Sequence, residues 1–158
     1  MANGVFNIAK GRVNELMVRV DTNDPTNSAI IVTLLKASVA DATLEDFDDL
    51  GALLADAGNT EADFTNFARK TLVDTDVTSP TPDDANNRQE ADIPDQTFAS
   101  AGGATNNTLV KLLICYDSDT GSGTDANIIP LTHHDFSVTT NGGDIVAQIA
   151  ATGFFRAA

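Results

Sequence analysis

The chain has 158 residues, a length that suits a single domain, 1–158, with one hydrophobic core. Hydrophobic residues make up 42% of it and the mean hydropathy is −0.08, which exclude a wholly disordered chain and a membrane-spanning one. The net charge of −14 repels nucleic acid and anionic membranes, so we expect neither as a partner.

The negative charge comes from 19 Asp and only 4 Glu. Asp favours turns and helix caps over helix interiors, so its excess predicts strands joined by acidic loops. The first nineteen residues are different, because they carry Lys10, Arg12 and Arg19 against Glu15 alone. Residues 1–12 therefore read as a basic N-terminal arm, which would lie along the acidic body or reach onto an acidic neighbour.

Several strands are predicted from apolar patterning. In residues 16–20, Leu16, Val18 and Val20 alternate with Met17 and Arg19, which favours a strand with one apolar face. Residues 29–36 and 109–116 are almost continuously apolar, as strands buried on both faces are, so we place them side by side at the centre of the sheet. Residues 96–99 suit a short strand.

The clearest helix is predicted at 43–57, where leucines and Phe47 recur every three or four residues and aspartates take the other face. Residues 63–73 fit a helix or a strand, and 77–95 fit a surface loop or strands joined by a wide turn. Near the C-terminus, residues 136–140 and 145–149 flank Asn-Gly, which predicts a hairpin.

These elements predict a mainly β fold, a sandwich or barrel of about seven or eight strands with one short amphipathic helix packed on an edge or end. A compact α+β arrangement is the alternative. No cofactor is expected.

Two segments invite a metal hypothesis. His133 and His134 are adjacent, but neighbouring residues of a strand point to opposite faces, so both rings cannot bind one ion without a bend. The loop from Asp117 to Asp125 has oxygen ligands suited to calcium, yet it departs from the EF-hand because Ile128 stands at the twelfth position. Solvated or structural roles are therefore favoured for both, with calcium binding by the loop left open.

Cys115 lies inside an apolar strand segment, where burial raises the pKa of a thiol and argues against a nucleophile. At the C-terminus, residues 153–158 carry Phe154, Phe155 and Arg156, residue types enriched at the centres of interfaces. This segment fits a docking tail, and a buried final strand explains it equally well.

Six stretches are distinctive: GVFNIAKGR at 4–12, FTNFARKTL at 64–72, AGGATNN at 101–107, CYD at 115–117, HDF at 134–136 and GFFR at 153–156. In these stretches the chain resembles a family of small virion proteins of tailed bacteriophages, particularly those of actinobacteria. The resemblance implies a virion component of the kind named head-decoration or minor tail protein, brings no catalytic residue, and implies packing roles for Phe67 and Phe98.

We therefore expect a non-enzymatic protein of the virion, assembled in the host cytoplasm, that decorates or cements the outer capsid shell as a homo-oligomer. Its partners would be the major capsid protein or other virion proteins, and its negative charge suits the outer surface. The expected contact residues are Phe6, Lys10, Arg12, Phe154, Phe155 and Arg156.

Three other functions stay open. A minor tail or head-to-tail junction protein would form a closed ring. A metal-dependent hydrolase would use His133, His134 and nearby aspartates. An acidic DNA mimic would need carboxylates spaced like phosphates.

Overall fold

In a computed structural model, which describes residues 3–158, the protein is mainly β, as the sequence predicts: strands take 35% of the chain and helices 18%. The described residues form eleven strands, more than the seven or eight expected. They are β1 (Asn3–Val5), β2 (Ala29–Ala37), β3 (Thr60–Glu61), β4 (Lys70–Leu72), β5 (Pro82–Asp83), β6 (Arg88–Ala91), β7 (Gln96–Phe98), β8 (Thr108–Asp117), β9 (Ile128–Thr139), β10 (Ile145–Ala147) and β11 (Phe155–Ala157).

The main sheet is antiparallel and has the order β1-β9-β8-β2-β3, with β4 also paired to β2. Two small sheets accompany it, β7 with β10 and β5-β6-β11. Within residues 3–158 the main sheet does not close on itself, so the barrel is wrong and the fold is consistent with a sandwich-like arrangement.

The two continuously apolar segments form the centre of the main sheet, as predicted. β2 and β8 pair directly, with Ile31 opposite Cys115 and Leu34 opposite Leu112. Neighbours on both sides and packing on both faces bury these strands, which explains why their sequences do not alternate.

The strand predicted at 16–20 is wrong, because this segment belongs to helix α1 (Val13–Asp21). The buried residues are Val13, Leu16, Met17 and Val20, which follow the spacing of a helix, whereas Val18 is exposed. α1 packs against β2 and β6.

The helix predicted at 43–57 is also corrected, since it is divided into α2 (Asp41–Leu44) and α3 (Leu50–Ala55). Asp49 lies between them in an extended conformation, and its Oδ1 accepts a hydrogen bond from the amide of Ala52. The aspartates therefore interrupt the helix and cap its second half, in line with their preference for N-caps.

The hairpin predicted near the C-terminus is wrong, because its two strands do not pair with each other. Residues 136–140 largely belong to β9, but β10 pairs with β7, with Ile145 opposite Phe98. The ambiguous segments resolve to β4 within 63–73 and to the β5-β6 hairpin within 77–95.

A single cluster of buried hydrophobic residues extends from Phe6 to Ala147, with Phe154 and Phe155 packed against it. Phe67 stacks on Phe98 with ring centroids 6.4 Å apart, which agrees with the packing role that the resemblance implied. Among the helices of residues 3–158, none has the length and apolar character needed to cross a membrane.

Candidate functional site

A concave surface runs beside strand β9. It is lined by Asn3, by residues 134–138 of β9 and by a facing wall of residues 147–150 with Gly153 and Phe154, and it encloses about 450 Å³. Much of its lining is apolar. Phe136, Val138, Ile149 and Phe154 are only partly buried against the core and expose the rest of their side chains here. We call this surface the β9 groove.

The groove lies along β9 beyond the described residues that pair with β1. β1 pairs with β9 only from Thr132 to His134, whereas β8 covers the opposite edge of β9 as far as Thr139. Beyond His134, no strand among the described residues pairs with the β1 side of β9.

The two histidines lie on opposite faces of β9, as predicted. His133 is 1% exposed, stands edge-on to Phe6, and has its Nε2 3.2 Å from Glu45 Oε1. His134 lines the groove and has its Nε2 3.0 Å from Thr132 Oγ1. Burial, followed by the nearby charges of His133 and Lys111, lowers the pKa of His134 to about 4.

Below the groove, Lys111 is buried and contacts two carboxylates, with its Nζ 2.6 Å from Asp41 Oδ1 and also bonded to Asp135. Burial alone would lower the pKa of Lys111, but the hydrogen bonds from this ammonium to Asp135 and Asp41 raise it above its ordinary value. Lys111 and Asp135 thus compensate each other at the side of the groove.

On another part of the surface, Arg69 binds two carboxylates. Its guanidinium donates to Glu61 at 2.6 and 3.0 Å and to Asp125 at 2.6 and 2.9 Å, and Glu61 also accepts from Thr33. The hydrogen bonds from Arg69 lower the pKa of Asp125. This network is a structural clamp between β3 and the loop before β9.

In the loop from Asp117 to Asp125, the hydrogen bonds to Arg69 engage one of the carboxylates that would bind calcium. Asp125 is bound to Arg69, while Asp117 and Asp119 accept bonds from the amides of Asp119 and Gly121 in local turns. Within residues 3–158 no three His, Cys, Asp or Glu side chains are placed to hold a metal ion. Cys115 is fully buried, and desolvation raises the pKa of its thiol to about 12, as expected for a cysteine inside an apolar strand.

The predicted N-terminal contact residues divide between core and surface. Phe6 is a correction, because its side chain is fully buried and is not available for a surface contact. Lys10 is exposed, with its Nζ 3.6 Å from Glu45 Oε2, and Arg12 is half-buried. Of the arm predicted at 1–12, residues 3–5 form β1 on the body, and Met1 and Ala2 lie outside the described residues.

The predicted C-terminal tail is a strand of the body. β11 pairs with β6, with Phe155 opposite Ala91 and Arg156 opposite Glu90. Phe154 donates its amide to Ala91 O at 3.0 Å and turns its side chain into the lining of the β9 groove. Phe155 is half-buried and Arg156 is exposed.

In so acidic a protein, basic residues without an ion pair are candidates for contact with an acidic partner. Most cations of the described chain contact a carboxylate, and Lys70 lies 5.0 Å from the centre of the Phe98 ring. Arg12 and Arg156 make no ion pair within residues 3–158. Both lie near β6, since Asn14 in the first turn of α1 bonds Gln89 at 2.8 Å and Arg156 is opposite Glu90.

An acidic cleft adjoins the groove. It encloses about 380 Å³ and is lined by Asp76, Asp83, Glu90 and Asp92. Gly153 lines both concavities, so they meet at this residue. Arg88 lies 3.1 Å from Asp83 and 3.2 Å from Glu90, which leaves the cleft with a net negative charge.

The sequence alone identified Phe154 as a contact residue, but it did not identify Phe136, Val138 or Ile149. Phe136 and Val138 alternate in the predicted strand, so their shared face was detectable, but their place in a concave surface was not. Comparison with protein-family models, curated proteins and solved structures found no match to this chain.

Proposed function

We propose that the protein is a non-enzymatic structural component of a bacteriophage virion that binds the outside of the capsid shell as a decoration or cement protein, acting as a homo-oligomer. Its work would consist of docking alone, with many weak contacts to the major capsid protein acting together on a regular lattice.

The observation that carries this proposal is the position of the β9 groove. Asn3, close to the N-terminus, and Phe154, close to the C-terminus, line the same apolar surface. The groove belongs to a protein whose net charge of −14 otherwise favours solubility. An apolar surface of this kind in a strongly acidic protein is typical of a place where another protein binds.

The disposition of reactive groups supports docking over catalysis. Cys115 is buried, His133 and His134 face opposite sides of β9, and carboxylates of the described chain are bound to Arg69 and Lys111. The six stretches that resemble virion proteins support the same class of function.

The contact residues of the proposal are revised by their exposure. Lys10, Arg12, Phe154, Phe155 and Arg156 remain, whereas Phe6 acts from within by packing against His133. Arg12 and Arg156 make no ion pair among the described residues, so their charges are available for an acidic partner.

A binding assay with particles assembled without this protein tests the proposal. Arg12→Glu combined with Arg156→Glu should reduce particle-bound protein at least about fivefold, since both contacts become repulsive. Arg19→Glu is the control, because it reverses an exposed charge that already pairs with Glu15 at 2.9 Å. Purified particles that contain no copy of this chain by mass spectrometry would refute the virion role.

Copy number separates the shell from the alternative position in the tail or at the head-to-tail junction. Gel densitometry of purified particles should give on the order of hundreds of copies for a shell lattice and about six to twelve for a closed ring. The ring result would replace the decoration role with the junction role.

A further inference from the structure

We propose that the side chains of Lys111 and Asp41 condense into an isopeptide bond, an amide between the lysine amine and the aspartate carboxyl, with Asp135 as the general base. The bond joins β8 to α2 covalently. It is a single modification that the folded chain carries out on itself, so it is independent of the proposed docking function.

The reacting groups are in contact in the folded protein. Lys111 Nζ lies 2.6 Å from Asp41 Oδ1 and is also bonded to Asp135. Lys111 stands opposite Asp135 where β8 pairs with β9, and Asp41 is the first residue of α2, so three elements bring the groups together. Well-oriented groups within one molecule reach effective concentrations of about 10⁵–10⁸ M, which favours a bond between groups that do not react in dilute solution.

Burial of the amine favours the amide over the ion pair. The Lys111 side chain is only 8% exposed, and two carboxylates beside one ammonium leave the site with a net negative charge. Buried ions lose hydration that their partners only partly replace. Condensation of Lys111 with Asp41 removes both of their charges, and it leaves Asp135 as the acceptor for the N–H of the new amide.

The reaction releases one molecule of water and needs no other reactant. A proton moves from the Lys111 ammonium to the Asp41 carboxylate, which gives a neutral amine and a neutral acid. Lys111 Nζ then attacks Asp41 Cγ and forms the N–C bond, while the Asp135 carboxylate accepts a proton from the nitrogen. Asp135 passes this proton to the hydroxyl group of the Asp41 acid, the C–O bond breaks, and water leaves.

The bond should form slowly after folding. Burial lowers the pKa of Lys111, but the hydrogen bonds to Asp135 and Asp41 raise it above its ordinary value, so the neutral amine is scarce. Because an amide is not readily hydrolysed at neutral pH, the product accumulates once it has formed.

Mass spectrometry of the purified full chain tests the inference. After prolonged incubation of the folded protein at neutral pH, the chain should, when denatured, weigh one water molecule less than its sequence requires. Trypsin should no longer cleave after Lys111. Tandem mass spectra should show the peptide that contains Lys111 joined to the peptide that contains Asp41.

Variants identify the groups that react. Lys111→Arg and Asp41→Ala should keep the full mass, because each removes one reacting group. Asp135→Asn should slow the loss of water at least about tenfold, since it removes the base. Lys36→Arg is the matched control and should still lose water. Lys36 Nζ also lies 2.6 Å from a carboxylate, Asp63 Oδ2, but the Asp63 side chain is 62% exposed, so this pair stays solvated and unreacted.

Loss of one water, with a tandem spectrum that joins Lys111 to Asp41, supports the isopeptide bond. An unchanged mass of the wild-type chain, a link from Lys111 to Asp135 instead, or a loss of water that persists in Lys111→Arg overturns it. The wild-type spectrum decides the question even where a variant does not fold. None of these results bears on the particle-binding assay, which tests the proposed function separately.

Discussion

The backbone of Gly4 passes directly over the imidazole of His133. A Cβ atom at Gly4 would lie 2.2 Å from His133 Nε2 and 2.3 Å from Glu45 Oε1, so only glycine allows β1 to cover this pair. Because His133 is 1% exposed and stands against Phe6, the ring has little room to move. The first strand, the His133–Glu45 contact and the buried Phe6 thus depend on one another.

We expect Gly4→Ala to destabilise the protein by about 1–3 kcal/mol, the usual cost of forcing extra atoms into a packed site. Urea denaturation measures the change. Gly143→Ala is the control, since Gly143 is exposed and its Cβ would approach no atom nearer than Asn141 Oδ1 at 3.2 Å. Equal stability of both variants would show that β1 does not close over His133 as described.

Gly153 should be indispensable for docking of the C-terminal strand. Its φ is +76°, and an added Cβ would lie 2.2 Å from the carbonyl oxygen of Ala91, the residue that also accepts from Phe154. Gly11 has a similar φ of +80° but open space around it, so Gly11→Ala reports the conformational cost alone, about 1 kcal/mol.

Gly153→Ala should cost more than Gly11→Ala and should remove hydrogen-exchange protection from β11. If the two variants were equally stable and β11 stayed protected, the close approach to Ala91 would be refuted.

The central strands were predictable because their sequence signal and their environment agree. β2 and β8 are apolar at nearly every position since both faces are buried, and their direct pairing follows from that shared character. The register, with Ile31 opposite Cys115, could not be predicted, because continuous apolar strands lack the alternation that fixes it.

Helix α1 shows why local patterning misled. Leu16 and Val20 fit both a strand and a helix. A strand would bury Val18 beside them, whereas a helix would bury Met17. Met17 is buried and Val18 is exposed. That choice follows from packing of α1 on β2 and β6, which are distant in sequence.

The β9 groove could be predicted only in part. The alternation of Phe136 and Val138 was visible, and so was Phe154. The groove itself depends on the pairing of β10 with β7 instead of β9, which is a long-range choice that a local turn signal does not decide.

The thiol of Cys115 should be unreactive in the native protein. It is fully buried, and desolvation raises its pKa to about 12, so the thiolate is scarce at pH 8. We expect no labelling by a thiol reagent in buffer and one equivalent of label in denaturant, measured by absorbance. Rapid labelling of the native protein would show that β8 opens locally.

The clamp formed by Arg69 should stabilise the fold at neutral pH. Arg69→Gln leaves Glu61 and Asp125 without their cation, and we expect a loss of about 1–2 kcal/mol, moderated because the Asp125 side chain is 38% exposed. Hydrogen bonds from Arg69 lower the pKa of Asp125 below its ordinary 3.8. The stabilisation is therefore present above about pH 4 and is lost as pH falls through the lower folded-state pKa.

The difference between wild type and Arg69→Gln should accordingly shrink in acid, as measured by urea denaturation across pH. Arg19→Gln, which breaks an exposed pair with Glu15, should change stability far less. A constant difference at all pH values would exclude the link to Asp125.

His134 should make the protein less stable as the solution becomes mildly acidic. Burial, then repulsion by His133 and Lys111, lowers its pKa from 6.5 to about 4, so the unfolded chain takes up a proton that the folded chain refuses. The free energy of unfolding should fall as pH drops from about 6.5 to about 4, and His134→Gln should make this slope shallower. NMR titration of the His134 ring measures the cause directly. A midpoint near 6.5 would show that the ring is solvated and that the groove around it is open to water.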